Sequence, residues 1–169
     1  MQVVSICDNF PSVKSGQNPV TFSVSDMRDP RLYREVEDFF HRHSNRSFHK
    51  NNILVQARSQ GFLIGLVRLC HEENRNILRS MEVKSEFRRQ KIGTRLLDAF
   101  QQYVAAEKID VIYSLPYAHL EKFYGQIGFR SLDEDDLPPF LKLRLEAYRR
   151  KRPEARFCAM IRSGAQAIT

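Results

Sequence analysis

Seven consecutive residues, Arg88-Arg89-Gln90-Lys91-Ile92-Gly93-Thr94, carry the densest chemical signal in the chain. They follow an apolar run ending at Val83 and open a helical pattern. The first N–H groups of such a helix lack intrahelical acceptors, and its mouth carries an effective charge of roughly +0.5. Flanking Arg and Lys side chains add charge-assisted donors, so the chemistry that fits is the seating of a phosphate or pyrophosphate. A basic helix start that touches only water is the competing reading, and charge alone favours it. Other reactive side chains offer less. Cys7, Cys70 and Cys158 are scattered without metal-ligand spacing and read as free thiols. His41, His43 and His49 lack a supporting carboxylate or Cys, so they read as a wet loop and no metal is expected.

Length and composition bound the rest. A chain of 169 residues fits one domain. With 42% hydrophobic and 28% charged residues it has the make-up of a soluble globule, and no apolar run approaches the ~20 residues that span a bilayer. The first twenty residues lack a basic segment followed by an apolar core, which gives the expectation of a cytoplasmic protein without a signal peptide. The net charge of +7 raises the local concentration of anionic ligands, among them nucleotides, phosphorylated cofactors and nucleic acid. The basic run Arg144, Arg149, Arg150, Lys151, Arg152 and Arg156 could contact nucleic-acid phosphates. It interleaves with Leu141, Leu143, Leu145 and Tyr148 and has no array of stacking aromatics, so a solvated helix face is preferred.

The elements that must position the basic turn follow from periodicity. Residues 1–19 are an appendage and linker, and Thr21–Ser25 reads as a strand. Asp29-Pro30 opens a helix to about Arg42 with Leu32, Tyr33, Val36, Phe39 and Phe40 on one face. Ile53–Arg58 and Phe62–Cys70 form a hairpin about Ser59-Gln60-Gly61, and a polar turn over His71–Asn76 leads to a third strand, Ile77–Val83. That strand alternates Ile77, Arg79, Met81 and Val83 against Leu78, Ser80 and Glu82. The helix beyond the turn sets Ile92, Leu96, Leu97, Phe100, Tyr103 and Val104 on one face, and Asp110–Leu115 resumes as a buried strand. Strand, helix, strand implies a right-handed parallel crossover, hence a mixed sheet. Pro116 opens a further helix that Gly128 ends. Phe129–Leu132 is a strand, Leu141–Arg152 a helix, Ala155–Arg162 a closing strand, and residues 163–169 a loose tail.

Arg88-x-x-Lys91-x-Gly93 resembles the Q/R-x-x-G-x-G/A signature of the GNAT superfamily of acyl-CoA-dependent N-acetyltransferases, and Lys122–Phe129, KFYGQIGF, resembles its later F-Y-x-x-x-G-F landmark. The resemblance spans roughly residues 20–162, which it marks as the N-acetyltransferase domain. Lys91 departs from the pattern, standing where the family has its first glycine; a side chain there can be accommodated if its φ is negative, and it would either crowd the phosphates or add a cation to them. The fold it implies is a single α/β domain of the α+β type. Its mainly antiparallel sheet has six to seven strands, helices cover both faces, and two parallel strands splay into a V.

The resemblance also implies roles. The backbone of Arg88, Arg89, Gln90, Lys91, Ile92, Gly93 and Thr94 would hold the pyrophosphate of acetyl-CoA, and Met81, Glu82 and Val83 would pair with its pantetheine arm. Tyr124 stands where many members place the general acid that protonates the departing thiolate; its pattern alone reads equally well as a core tyrosine with Leu120, Phe123 and Ile127. Amine attack needs a base, for which Glu82 and His119 are the candidates, each with a bland alternative as an exposed strand-end Glu or helix-start His. The expected activity is acetyl transfer to a primary amine of a small molecule or peptide, in a ternary complex. A silent acyl-CoA-binding module is the first alternative and a nucleic-acid-binding domain the second. No membrane partner is expected, and a homodimer stays open. Asp133, Glu134, Asp135 and Asp136 either draw a cationic amine to the mouth or form a solvated turn.

Overall fold

Two tight turns start the sheet in the computed structural model, which describes residues 19–40 and 48–164. The N-terminal appendage through residue 18, His41, His43 and the tail beyond residue 164 lie outside the described residues. Strand β1 (Val20–Asp26) pairs antiparallel with β2 (Ile53–Ser59), β2 with β3 (Phe62–Glu72), and β3 with β4 (Arg75–Val83). The β2–β3 turn puts Gln60 at φ 50° and Gly61 at φ 82°, the doubly positive backbone whose twist matches that of a hairpin. The β3–β4 turn does the same at Glu73 (45°) and Asn74 (57°), so both strands run further than the polar stretch His71–Asn76 suggests.

Helix α2 (Ile92–Ala106) then carries the chain to β5 (Val111–Ser114), which lies parallel to β4. Strand β7 (Met160–Ser163) inserts between β5 and β6 (Phe129–Ser131). The sheet order is β1-β2-β3-β4-β5-β7-β6, seven strands with β4 and β5 the one parallel pair, as the fold expectation requires.

Alternation along the strands sorts the helices. Val55, Ala57, Val67, Leu69, Leu78 and Ile112 meet Leu96, Leu97, Phe100 and Val104 of α2. On the opposite face, Leu54, Leu63 and Leu66 meet Leu32, Val36 and Phe39 of α1 (Pro30–Phe39), while Ile77 and Ala159 meet Leu141 and Leu145 of α4 (Pro139–Lys151). Asp29 caps α1 by accepting from the Arg31 N–H at 2.8 Å, with Pro30 opening the helix.

Two expected boundaries are corrected. Pro116 does not open a helix: Tyr117 bridges Phe157, and the Ala118 N–H donates to the Arg156 carbonyl at 2.8 Å, which holds the chain extended. A 3-10 turn (Ala118–Leu120) follows, then a short helix α3 (Glu121–Gly125). Those contacts also keep Ala155–Ala159 out of the β7 ladder, where a strand from Ala155 is expected. Gly128 reverses the chain at φ 86°.

Candidate active site

Parallel pairing between β4 and β5 covers only Asn76–Leu78 against Ile112–Ser114. The Ser114 hydroxyl donates to the Leu78 carbonyl at 3.3 Å and closes the apex. Beyond it β5 leaves through Leu115 and Pro116, so the β4 edge from Arg79 to Val83 faces a V-shaped opening. An unpaired strand edge offers alternating N–H and C=O groups to any guest with peptide-like amides.

The edge is not regular. Leu66 faces Glu82 and Arg68 faces Arg79, so two residues of β3 span three of β4. The extra residue is Ser80, at φ 54°. This bulge corrects the simple alternation expected for Ile77–Val83: Met81 and Val83 pack with Leu78 on the α2 face, while Ile77 belongs to the α4 cluster. The hydroxyl of Ser80 accepts from Arg68 Nη2 at 2.9 Å, and Arg68 Nη1 donates to Asn52 Oδ1 at 3.1 Å. Arg68 is fully buried and lies 4.4 Å from the centre of the Phe48 ring. The sequence reading missed both residues. Nothing marks Ser80, but a charged residue inside the apolar run LIGLVRLC was a visible signal for Arg68.

Val83 leads through Lys84 and a 3-10 turn (Ser85–Phe87) to the basic turn, and Arg88 Nε donates to the Val83 carbonyl at 2.9 Å, tying turn to strand. Arg89 (φ 62°) and Lys91 (φ 60°) both adopt left-handed backbone. The negative φ that would accommodate a side chain at Lys91 is not the one adopted: the lysine takes the conformation a glycine would adopt without cost. Lys91 is the N-cap residue of α2 and supplies no side-chain cap, so the first-turn N–H groups remain directed outward. Gly93 sits where a β-carbon would lie 3.4 Å from both Met81 Cε and Phe123 Cζ. The helix mouth, the bulged strand and α3 thus converge on one glycine.

Tyr124 is buried on the α2 side, edge-on to Phe123 and Phe129 at 5.5 and 6.1 Å. Burial pushes its phenol well above the ordinary value, so the group is a proton carrier at neutral pH and not an anion. Glu82, paired with Leu66, lies on the α1 face. The two candidate catalytic groups therefore approach the strand edge from opposite faces of the sheet. His119 is exposed and stacks on Tyr117, whose other contacts are Phe157 and Arg152. Among the described residues no group of His, Cys, Asp or Glu could hold a metal ion.

The acidic turn is partly compensated from α4. Glu134 pairs with Arg149 and Asp135 with Lys142, while Arg150 pairs with Glu146. These pairs link the basic C-terminal run to the acidic turn and engage two of its carboxylates, Glu134 and Asp135.

A family model described as an acetyltransferase (GNAT) domain matches residues 26–137. Solved structures with the same architecture include Escherichia coli ElaA, at TM-score 0.60 and 14% identity, covering 85% of this chain and 99% of that one. An acyl-CoA N-acyltransferase from Pseudomonas aeruginosa gives 0.59 and 18%, covering 85% and 99%. N-acetylglutamate synthase from Neisseria gonorrhoeae, complexed with coenzyme A and N-acetyl-glutamate, gives 0.57 and 17%, covering 84% of this chain and 35% of that one. The chain thus spans about a third of that synthase's length. No functionally curated protein matches the chain. At these identities the likeness to solved structures speaks to fold alone.

Proposed function

Since the chain belongs to the GNAT acetyltransferase family, we propose that it moves an acetyl group from acetyl-CoA to a primary amine by direct attack in a ternary complex, with residues 20–162 as the working unit. The observation that carries this reading is the open β4 edge from Arg79 to Val83, which leads directly into the Arg88–Thr94 turn. A pantetheine arm is a flexible chain with two amides. Lying along Met81–Val83 it would satisfy them and bring the thioester to the bulge, while the pyrophosphate rests on the N–H groups of Arg88–Thr94.

In the reaction the amine nitrogen attacks the thioester carbonyl carbon, a C–N bond forms and the C–S bond breaks. The sulfur leaves as a thiolate and takes the Tyr124 phenolic proton, which solvent later restores; the attacking nitrogen loses one proton to a base. Glu82 is the base better supported, by its place on β4 beside the bulge, acting through water. His119 has only its position after β5 in its favour. An acyl-enzyme route is disfavoured by the thiols: burial raises both Cys70 and Cys158, which keeps them protonated and poorly nucleophilic.

A thermal-shift titration tests the cofactor. Acetyl-CoA and desulpho-CoA should raise the melting temperature and ATP should not; a shift with none of them removes the acyl-CoA reading. Tyr124→Phe should then lower kcat by at least ~10²-fold across pH 6–9. An unchanged turnover number would return Tyr124 to the core. The Glu82–Tyr124 separation across the sheet keeps the silent binding module as second reading, and that module would bind CoA without amine-dependent release of its thiol.

A further inference from the structure

Residues 63–70 of β3 are uncharged except for Arg68, which is fully buried and has no part in the reaction described above. Burying a guanidinium costs its hydration, and an apolar side chain of similar size would fill the space at less cost, so its presence points to a task other than stability. Arg68 Nη1 donates to Asn52 Oδ1 at 3.1 Å and Nη2 to the Ser80 hydroxyl at 2.9 Å, while the Phe48 ring lies 4.4 Å from the guanidinium carbon. Asn52 is itself fixed. Its side-chain oxygen also accepts from the His49 N–H at 3.3 Å, its own N–H donates to the His49 carbonyl, and its carbonyl accepts from the Met27 N–H. Arg68 thus reaches Ser80 from an anchored base.

Ser80 is the extra residue of the β4 bulge, and its φ of 54° is a conformation that glycine adopts freely and a residue with a β-carbon adopts at a cost. A hydrogen bond from an ionised donor is among the stronger ones, and here it ties down the strained residue. The strain has a consequence for the cleft. A regular ladder that sets Arg79 against Arg68 would set Met81 against Leu66, whereas the observed partner of Leu66 is Glu82. The backbone groups that β4 turns away from β3 and toward the V are shifted by the same one residue, and Met81 joins the α2 face. The bulge also lies just beyond the last β4 residue paired with β5, Leu78, where the edge begins to open.

We propose that Arg68 is a positioning residue for the acyl donor: by gripping the Ser80 hydroxyl it holds the bulge in its left-handed form and so sets which β4 backbone groups meet the acyl end of the thioester. Arg68 acts through Ser80 and exchanges no proton. This rests on the acyl-transfer reading and adds to it a residue of β3, on the strand behind the open edge.

The test titrates the full chain by calorimetry with acetyl-CoA and desulpho-CoA, which share the pyrophosphate and pantetheine and differ at the acyl end. Ser80→Ala should weaken acetyl-CoA by roughly 5- to 10-fold, the loss of about one hydrogen bond, and desulpho-CoA by less than about twofold. A merely structural role would weaken both alike. Ser80→Gly, which takes the left-handed φ without strain, should fall between Ser80→Ala and the wild type. Arg68→Met should follow Ser80→Ala, and Arg68→Lys, which keeps a donor, should recover part of the loss. Melting of each free variant reports that it has folded, and the two serine variants decide the matter if Arg68→Met does not fold. Equal weakening of the two probes, an unchanged acetyl-CoA affinity, or a glycine variant no better than the alanine variant would overturn the proposal. A wild type that binds neither probe would instead strike the acyl-transfer reading. Amide hydrogen exchange in the free chain then decides the grip of Arg68 on the bulge: faster exchange at Met81 and Glu82 in Ser80→Ala supports it, and unchanged exchange refutes it.

Discussion

Lys91 pairs a useful charge with an awkward backbone. Its left-handed φ of 60° costs a residue with a β-carbon roughly 1–2 kcal/mol relative to glycine. Lys91→Gly removes that strain but adds freedom to the unfolded chain, whereas Lys91→Ala keeps the strain and loses the cation. Chemical denaturation should therefore place the glycine variant about 1 kcal/mol above the alanine variant; equal stabilities would mean that the turn relaxes to a negative φ. Tyr124 makes a second residue-scale prediction. Because burial raises its phenol above the ordinary value of about 10, the proton is held throughout the neutral range and is lost only at more alkaline pH. The kcat profile of the wild type should show no falling limb from Tyr124 below pH ~10, and any limb at lower pH that survives in Tyr124→Phe belongs to another group.

At the scale of elements, the site is made by how β3, β4 and α2 touch. Gly65 of β3 is where they come closest: an added β-carbon would lie 3.1 Å from Leu96 Cδ1, 3.2 Å from the Glu82 carbonyl oxygen and 3.3 Å from Val83 Cγ2. Gly65→Ala must push on backbone that borders the cleft. It should cost about 1–3 kcal/mol and weaken acetyl-CoA binding measured by calorimetry, whereas Gly93→Ala, with contacts of 3.4 Å, should leave stability nearly unchanged. The apolar stripe of α2 and the β2–β3 hairpin were legible because side-chain period and turn chemistry report directly on them. The bulge was not: serine at position 80 has no type-specific reason to adopt φ 54°, and the register shift depends on β3 across the ladder. Pro116 misled for a related reason. Proline suits a helix start, but the Tyr117–Phe157 bridge is a contact forty residues distant in sequence, and local preference cannot anticipate it.

Across the whole molecule, the net charge of +7 matters by where it remains uncompensated. The C-terminal cations Lys142, Arg144, Arg149 and Arg150 each face a carboxylate, and Arg58 pairs with Glu35. Lys84, Arg88, Arg89 and Lys91 form no ion pair among the described residues, although Lys84 and Arg88 lie close enough to Glu86 to help hold its carboxyl below the ordinary value, after its hydrogen bonds. Four cations without an ion pair among the described residues are thus gathered at the helix mouth of α2, while Lys142, Arg144, Arg149 and Arg150 are paired with their neighbours. A basic sequence with this arrangement attracts a compact polyphosphate more than an extended nucleic-acid backbone. Because the turn is exposed, its field is screened over about 10 Å at 0.1 M salt. Affinity for CoA should accordingly fall several-fold between low and physiological ionic strength, with the loss carried by the association rate. Reversing the charge at Arg88 and Arg89 should abolish that salt dependence together with most of the affinity, while reversing Arg150 and Lys151 on α4 should leave both nearly intact. A CoA affinity that responds equally to the two double variants would show that overall charge, and not the turn, gathers the cofactor.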